Sequence, residues 1–123
     1  MRIIGGNFKG VKIFDAFDKN TRPLKDLVKE SILNILEHSK DSSIKLNNSL
    51  VLDLFSGTGS LGLECISRGA AKVYFVENYP LSIEILKKNI IKFKCEKKTK
   101  IFNEDVFKFL EKEKKNEKLD LIF

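Results

Sequence analysis

The sequence is poor in the residues that mark disulfide scaffolds, secreted chains and membrane proteins. It has two cysteines, two prolines and no tryptophan, and no apolar run approaches the roughly 18 residues of a membrane-spanning helix. Cys65 lies in an apolar helical pattern and Cys95 lies among lysines, which gives neither a disulfide framework nor a metal pair at ligand spacing. The N-terminus lacks the apolar segment and the cleavage site of a secretory signal. We therefore expect a cytoplasmic chain with no membrane anchor, no structural disulfide and no bound metal.

The remaining composition is typical of one globular domain. Hydrophobic residues make up 42% of the 123 residues and charged residues 33%, with seven glycines. This balance excludes a disordered tail and the collagen-like and Gln/Asn-rich classes, and the length excludes a second complete domain.

The net charge favours a polyanionic partner without identifying one. Lysine and arginine number 23 against 17 aspartate and glutamate, a formal charge of +6, which suits nucleic acid. Only three of the basic residues are arginines, and residues 1–48 and 49–123 each carry +3. Charge alone therefore leaves two alternatives open, a nucleic-acid surface and a solvated face.

Residues 1–48 are predicted to form a small β arm followed by one helix. The β-type runs at 2–4 and 11–13 flank glycines, a pattern that favours a hairpin. Pro23 marks the start of a helix whose apolar residues recur at helical spacing, and the helix ends near His38, to which we assign no chemistry. A polar connector over 39–49 then places a boundary at about residue 49.

From residue 49 onward, strand patterns and helix patterns alternate. Helices are predicted at about 60–69, 80–93 and 106–115, between strands at 50–54, 72–76, 100–102 and 119–123. Strands linked by helical crossovers form right-handed βαβ units. The sequence therefore predicts an α/β fold, a parallel sheet with helices on both faces.

A glycine-rich turn joins the first predicted strand of this region to its first helix. Gly57, Gly59 and Gly62 satisfy G-x-G-x-x-G, which permits a tight turn and brings a ligand close to the backbone amides at a helix N-terminus. Glu77 ends the second strand, where a carboxylate can accept hydrogen bonds from both hydroxyls of a ribose. The pattern indicates a nucleoside ligand.

The acidic residues beside this turn favour a cationic nucleoside. Asp53 precedes Gly57 by four residues, and its carboxylate would repel the pyrophosphate of a dinucleotide. S-adenosylmethionine carries a sulfonium and an ammonium group and no phosphate, and Asp105 at the end of the third strand can accept from its adenine amino group. Each acid also has a simpler interpretation: Asp53 and Asp105 as caps, and Glu77 as the partner of a surface lysine. Together, at three successive strand ends, they favour a ligand site.

Three motifs in order give the sequence a family resemblance. They are Arg2-Ile3-Ile4-Gly5-Gly6-Asn7-Phe8-Lys9-Gly10, then Thr21-Arg22-Pro23 with Asp26, Val28 and Glu30, and then Asp53-Leu54-Phe55-Ser56-Gly57-Thr58-Gly59. With them the sequence resembles, over essentially its whole length, the bacterial 16S ribosomal RNA guanine-N2 methyltransferases of the class I, Rossmann-like fold. Leu24, Lys25 and Leu27 depart from the residues usual in the second motif.

The resemblance implies transfer of a methyl group from S-adenosylmethionine to the exocyclic N2 of a guanine in 16S ribosomal RNA, free or within an assembling small subunit. Residues 1–48 would form an extension on the RNA and cofactor side. Residues 49–123 would form the first four strands of a seven-stranded methyltransferase domain, monomeric when full length. The implied RNA contacts are Arg2, Lys9, Lys12 and Arg22. The implied cofactor contacts are Asp53, Phe55, Ser56, Gly57, Thr58, Gly59, Glu77, Asn78, Asp105 and Val106.

The family's Asn/Asp-Pro-Pro-Phe/Tyr loop, which orients the guanine amino group and stacks on the base, would directly follow Phe123. We therefore expect no catalytic residue within the 123 residues and no activity of the chain alone. Three other interpretations stay open. They are an NAD-dependent oxidoreductase with the same glycine pattern, a non-catalytic nucleic-acid-binding module, and a related DNA adenine-N6 methyltransferase that shares the loop type.

Overall fold

The computed structural model describes residues 1–15, 26–38, 45–112 and 118–123. Within these residues the strands are β1 (Leu50–Asp53), β2 (Lys72–Glu77), β3 (Thr99–Asn103) and β4 (Leu121–Ile122). The helices are α1 (Asp26–His38), α2 (Ser60–Ser67), α3 (Pro80–Lys92) and α4 (Val106–Lys112), with short 3₁₀ turns at Gly6–Phe8 and Glu96–Lys98. The alternation of strands and helices predicted from residue 49 onward is confirmed.

All described strands belong to one parallel sheet in the order β3-β2-β1-β4. Val51 of β1 pairs with Val73 of β2 on one side and with Leu121 of β4 on the other. The chain therefore runs outward from β1 to β3 and then returns to the opposite side of β1. This reversal between β1 and β4 is the place where open α/β sheets bind ligands, at the carboxyl ends of the strands.

The core lies on both faces of the sheet because alternate strand residues point to opposite sides. Val51, Val73 and Phe75 pack on one face in a cluster with side chains of α1, α2 and α3. On the other face Leu52, Tyr74 and Val76 pack in a second cluster with Val106 and Phe109 of α4. The predicted placement of helices on both faces is confirmed.

The N-terminal residues form the expected small hairpin. Arg2 and Lys12 form an antiparallel bridge, and the Ile3 amide donates to the Val11 carbonyl at 2.9 Å. Ile3 and Ile13 are buried, and the Phe8 ring packs edge-on against Phe93 with centroids 5.2 Å apart. The arm therefore packs on the body of the protein next to the C-terminal end of α3.

Several element bounds differ from the sequence-based prediction. Helix α2 ends at Ser67 rather than at 69, because Gly69 adopts φ +102° and the amides of Gly69 and Ala70 bond back to the carbonyls of Ile66 and Cys65. Strand β1 ends at Asp53, and β4 is shorter than the predicted 119–123. The predicted helix start at Pro23 and the last residues of the predicted helix 106–115 lie outside the described residues. Among the described helices none has the length and apolar character needed to cross a bilayer.

Candidate cofactor site

The glycine turn between β1 and α2 gives each of its three glycines a different task. Gly57 has φ +55°, and a Cβ built on it would meet no atom within 4 Å, so its Cα faces open space. Gly59 has φ +93°, and a Cβ there would collide with the Leu86 side chain. A Cβ on Gly62 would collide with the Phe75 ring. The first glycine therefore leaves room for a ligand, and the other two allow the turn and helix α2 to pack closely on α3 and β2.

Asp53 ends β1 directly below this turn and is 4% exposed. Burial raises the pKa of its carboxyl from 3.8 to about 7, the backbone hydrogen bond from Gly62 lowers it in part, and the charge of Glu77 raises it further. Its Oδ2 atom is buried and has no hydrogen-bond partner among the described residues. An unpaired buried carboxyl oxygen costs folding free energy, so this atom is suited to a cationic or hydrogen-bond-donating ligand.

Glu77 at the end of β2 holds the glycine turn in place. Its Oε2 accepts a hydrogen bond from the Gly57 amide at 2.8 Å, and its Oε1 accepts from the amides of Asn78 at 3.2 Å and Tyr79 at 3.1 Å. The simpler interpretation of Glu77 was an ion pair with a surface lysine. Among the described residues the structure shows no such pair. A carboxylate accepts about four hydrogen bonds, so capacity for a ribose hydroxyl remains.

Asp105 follows β3 and caps helix α4. Its Oδ1 accepts from the amides of Phe107 at 3.0 Å and Lys108 at 3.2 Å. The simpler interpretation of this residue as an N-cap is therefore confirmed. Both bonds use the same oxygen, which leaves Oδ2 for a ligand donor, and capping and binding are compatible.

The other predicted cofactor residues lie at the same edge of the sheet. Ser56 and Thr58 are buried in the turn, and the Ser56 amide donates to the Val76 carbonyl at 3.2 Å. Phe55 is 73% exposed, and Asn78 is exposed. Val106 is buried in the core of the α4 face. The structure thus brings all of the predicted cofactor residues to the carboxyl edge, and their contacts with a cofactor remain predictions.

The predicted RNA contacts lie on the N-terminal arm. Arg2, Lys9 and Lys12 are all exposed, and Arg2 and Lys12 are cross-strand neighbours. Arg22 lies outside the described residues. No group of acidic, histidine or cysteine side chains in the described part of the chain could hold a metal ion.

A buried ionic cluster, which the sequence patterns did not predict, joins the arm to helix α2. Lys29 and Glu64 have no exposed side-chain surface, and their charged atoms are 3.3 Å apart. The Lys29 Nζ donates to the Arg2 carbonyl at 2.8 Å and to the hydroxyl of Ser60, the first residue of α2, at 3.1 Å. Glu64 also accepts from Arg68 at 3.1 Å. The helical spacing could have indicated the burial of Lys29, because Lys29 precedes Leu33 by four residues and so lies on the buried face of α1.

A second missed residue, Asn89, joins the arm to the glycine turn. Its buried side-chain amide donates to the carbonyls of Phe14 at 3.0 Å and Thr58 at 2.9 Å, and its Oδ1 accepts from the Phe14 amide at 2.8 Å. The arm, helix α3 and the turn are therefore held together by one side chain.

The comparisons with known proteins agree with the motifs. A family described as conserved hypothetical protein 95 matches residues 1–123. Ribosomal RNA small subunit methyltransferase D of Haemophilus influenzae is 34% identical over 124 residues, which cover 100% of this chain and 61% of that protein. The protein of the same name from Escherichia coli K12 is 32% identical, over 89% of this chain and 52% of its own length.

Solved structures show the same architecture. The yhhF protein of Escherichia coli superposes with a TM-score of 0.76 at 30% identity, covering 89% of this chain and 55% of that one. The HI0767 protein of Haemophilus influenzae gives a TM-score of 0.71 at 34% identity, covering 99% and 61%. The fold is therefore that of the Rossmann-like methyltransferases, and the chain spans 52 to 61% of the length of these relatives. The chain belongs to the family described as conserved hypothetical protein 95, and its resemblance to the bacterial ribosomal RNA small subunit methyltransferases is confirmed.

Proposed function

We propose that this chain binds S-adenosylmethionine and serves the transfer of its methyl group to small-subunit ribosomal RNA. The observation that carries the proposal is Asp53, a buried carboxyl with an unpaired oxygen beside a glycine turn that leaves open space at Gly57. A carboxylate in such surroundings favours a cation and repels a pyrophosphate. S-adenosylmethionine meets this requirement because it is cationic at sulfur and nitrogen and has no phosphate.

The residues at the carboxyl edge fit the remaining groups of this cofactor. Asp53 would hold its positive charges, and backbone amides at the N-terminus of α2 would hold its carboxylate. Glu77 would accept from the ribose hydroxyls, and Oδ2 of Asp105 would accept from the adenine amino group. When bound, the cofactor supplies an electrophilic methyl group on its sulfonium. The protein's own part is to bind and orient it at the reversal point of the sheet.

The proposed acceptor is the exocyclic N2 of a guanine in 16S ribosomal RNA, and this step rests on the family resemblance. The N2 lone pair is delocalised into the purine ring, so catalysis depends mainly on alignment of the amino group with the methyl group. The resemblance places the aligning loop outside the 123 residues. We therefore expect methyl transfer to need that loop together with the cofactor site, and the 123 residues by themselves to bind the cofactor without turnover.

The acceptor is tested in the host cell. The gene is deleted, and small-subunit ribosomal RNA and DNA from both strains are digested to nucleosides and analysed by mass spectrometry. Loss of one N2-methylguanosine from the RNA is the expected result. Unchanged RNA with loss of N6-methyladenine from DNA would instead favour the adenine methyltransferase.

A further inference from the structure

The positive charge of this chain is concentrated in one segment. Residues 87–100 contain seven lysines and a single carboxylate, Glu96, which gives a formal charge of +6. The whole chain also carries +6, so the rest of the sequence is neutral in sum. The segment covers the end of α3, the second 3₁₀ turn and the start of β3, and we refer to it as the lysine band. Because residues 1–48 and 49–123 each carry +3, a comparison of these two parts does not show the lysine band.

The lysines of the band are available to a partner. All seven are exposed. Lys88 forms an ion pair with Glu84 at 3.4 Å, whereas Lys87, Lys97 and Lys98 form none with the carboxylates of the described residues. A surface that keeps so many like charges unneutralised is destabilised by their repulsion and relieved by a polyanion.

The band is continuous with the N-terminal arm. The Lys92 Nζ donates to the Lys12 carbonyl at 2.6 Å, and it lies 4.6 Å from the centre of the Phe14 ring. Phe14 is 50% exposed, so part of its aromatic ring is accessible beside the cationic groups. Proteins recognise single-stranded nucleic acids with two elements. Cationic side chains follow the phosphate backbone, and aromatic rings stack on the bases.

An apolar groove runs along the band. It has a volume of about 290 Å³ and is lined by Ile90, Ile91 and Ile101 together with Lys87, Glu96 and Thr99. Ile91 is 65% exposed. An apolar floor beside cations suits a nucleotide, because the faces of a base are apolar and its phosphate is anionic.

The position of the band is compatible with a substrate that also reaches the cofactor site. Thr99 pairs with Val73 near the start of β2, so the end of the band lies at the edge of the sheet opposite the cofactor residues. Strand β3 has five residues and spans about 16 Å between these edges. About five stacked nucleotides cover that distance at about 3.4 Å each.

We propose that the lysine band, together with the adjoining arm, binds the phosphate backbone of the ribosomal RNA substrate. This inference rests on the proposed function and adds the place where the RNA lies. Neither an anionic lipid nor an acidic protein requires the groove and the aromatic ring beside the cations. RNA uses all three features.

The test compares two variants of equal net charge. The band variant is Lys87→Gln with Lys97→Gln and Lys98→Gln, and the control is Lys45→Gln with Lys108→Gln and Lys118→Gln, all at exposed lysines. Binding of a fluorescein-labelled 16S ribosomal RNA transcript is measured by anisotropy from 50 to 300 mM KCl. Binding of S-adenosylhomocysteine to each protein is measured by calorimetry.

Each lost phosphate contact lowers the slope of log K against log salt by about 0.7 to 0.9. We expect the slope of the band variant to fall by about 2 and its RNA affinity to fall by about 10- to 100-fold, with unchanged S-adenosylhomocysteine affinity. The control variant should change the slope by less than about 0.5. Equal losses in both variants, or none in either, would overturn the inference while the proposed function stands. Failure of the unaltered protein to bind RNA would overturn the inference too, and calorimetry then decides whether the cofactor assignment survives.

Discussion

Replacing Asp53 with asparagine is expected to weaken S-adenosylmethionine binding and to stabilise the ligand-free protein. The side chain is almost completely buried, and its Oδ2 lacks a partner in the described part of the chain. The buried carboxylate therefore destabilises the folded protein when no ligand is bound. We attribute its presence to the binding of a cationic ligand. Asparagine has nearly the same shape and no charge, so the substitution isolates the electrostatic contribution.

The effect on stability follows from the pKa of Asp53, which burial raises from 3.8 to about 7. A folded-state pKa above the unfolded value means that the folded protein holds the proton more tightly. Relative to Asp53→Asn, the stability of the unaltered protein is greatest below pH 3.8 and falls as the pH rises towards 7. At about 1.4 kcal/mol for each pH unit, the difference reaches as much as about 4 kcal/mol at pH 8. Urea unfolding at several pH values measures it.

The effect on binding has the opposite sign, because a cationic ligand needs the ionised carboxylate. With a pKa of about 7, roughly one tenth of Asp53 is ionised at pH 6 and about three quarters at pH 7.5. The affinity for S-adenosylmethionine should therefore rise about eightfold between these values. The α-amino group of the ligand, with a pKa of about 7.7 to 8.0, has lost about a third of its charge at pH 7.5, which reduces this rise to about five- to sixfold.

Calorimetry of Asp53→Asn should show weak binding that does not depend on pH in this range. Glu84→Gln is the matched control, since it removes one negative charge from an exposed side chain. It should behave like the unaltered protein. Asp53→Asn binding with unaltered affinity, or a flat pH profile of the unaltered protein, would refute the assignment of Asp53 to the cationic groups.

Three further predictions test the geometry. Gly57→Ala and Gly10→Ala each place a Cβ at positive φ in open space, at a cost of about 1 to 2 kcal/mol, and only Gly57→Ala should also weaken S-adenosylhomocysteine binding by tenfold or more in calorimetry. Lys29→Met should cost about 3 kcal/mol in urea unfolding because it removes a cation from the fully buried Glu64, and adding Glu64→Gln should recover part of it; a loss below about 0.5 kcal/mol would contradict this. Gly62→Ala should lower stability by about 1 to 3 kcal/mol in thermal unfolding, since its Cβ would collide with an aromatic ring of β2, and unchanged stability would refute the close packing.

The local patterns of the sequence predicted the strands, the helices and the glycine turn well, because each of these elements depends on neighbouring residues. Short apolar runs that alternate with helical patterns predicted the parallel strands, and the spacing of Gly57, Gly59 and Gly62 predicted the turn. The return of the chain to pair β4 with β1 could not be predicted this way, because periodicity does not encode strand order.

Polar contacts between residues far apart in the sequence could not be predicted either. Glu77 was predicted as a ligand for ribose, and its bond to the Gly57 amide twenty residues away depends on the fold. Lys29 looks like an ordinary surface lysine in the sequence, and only the fold brings it into contact with Glu64. A buried charge is visible in a sequence only through the periodicity of its neighbours.

The central claim is that the carboxyl edge of this sheet binds S-adenosylmethionine rather than a dinucleotide. Parallel calorimetric titrations of the folded 123-residue protein with S-adenosylhomocysteine and with NAD test it most directly. We expect saturable binding of one S-adenosylhomocysteine per chain and no heat of binding with NAD. Tight NAD binding without S-adenosylhomocysteine binding would contradict it.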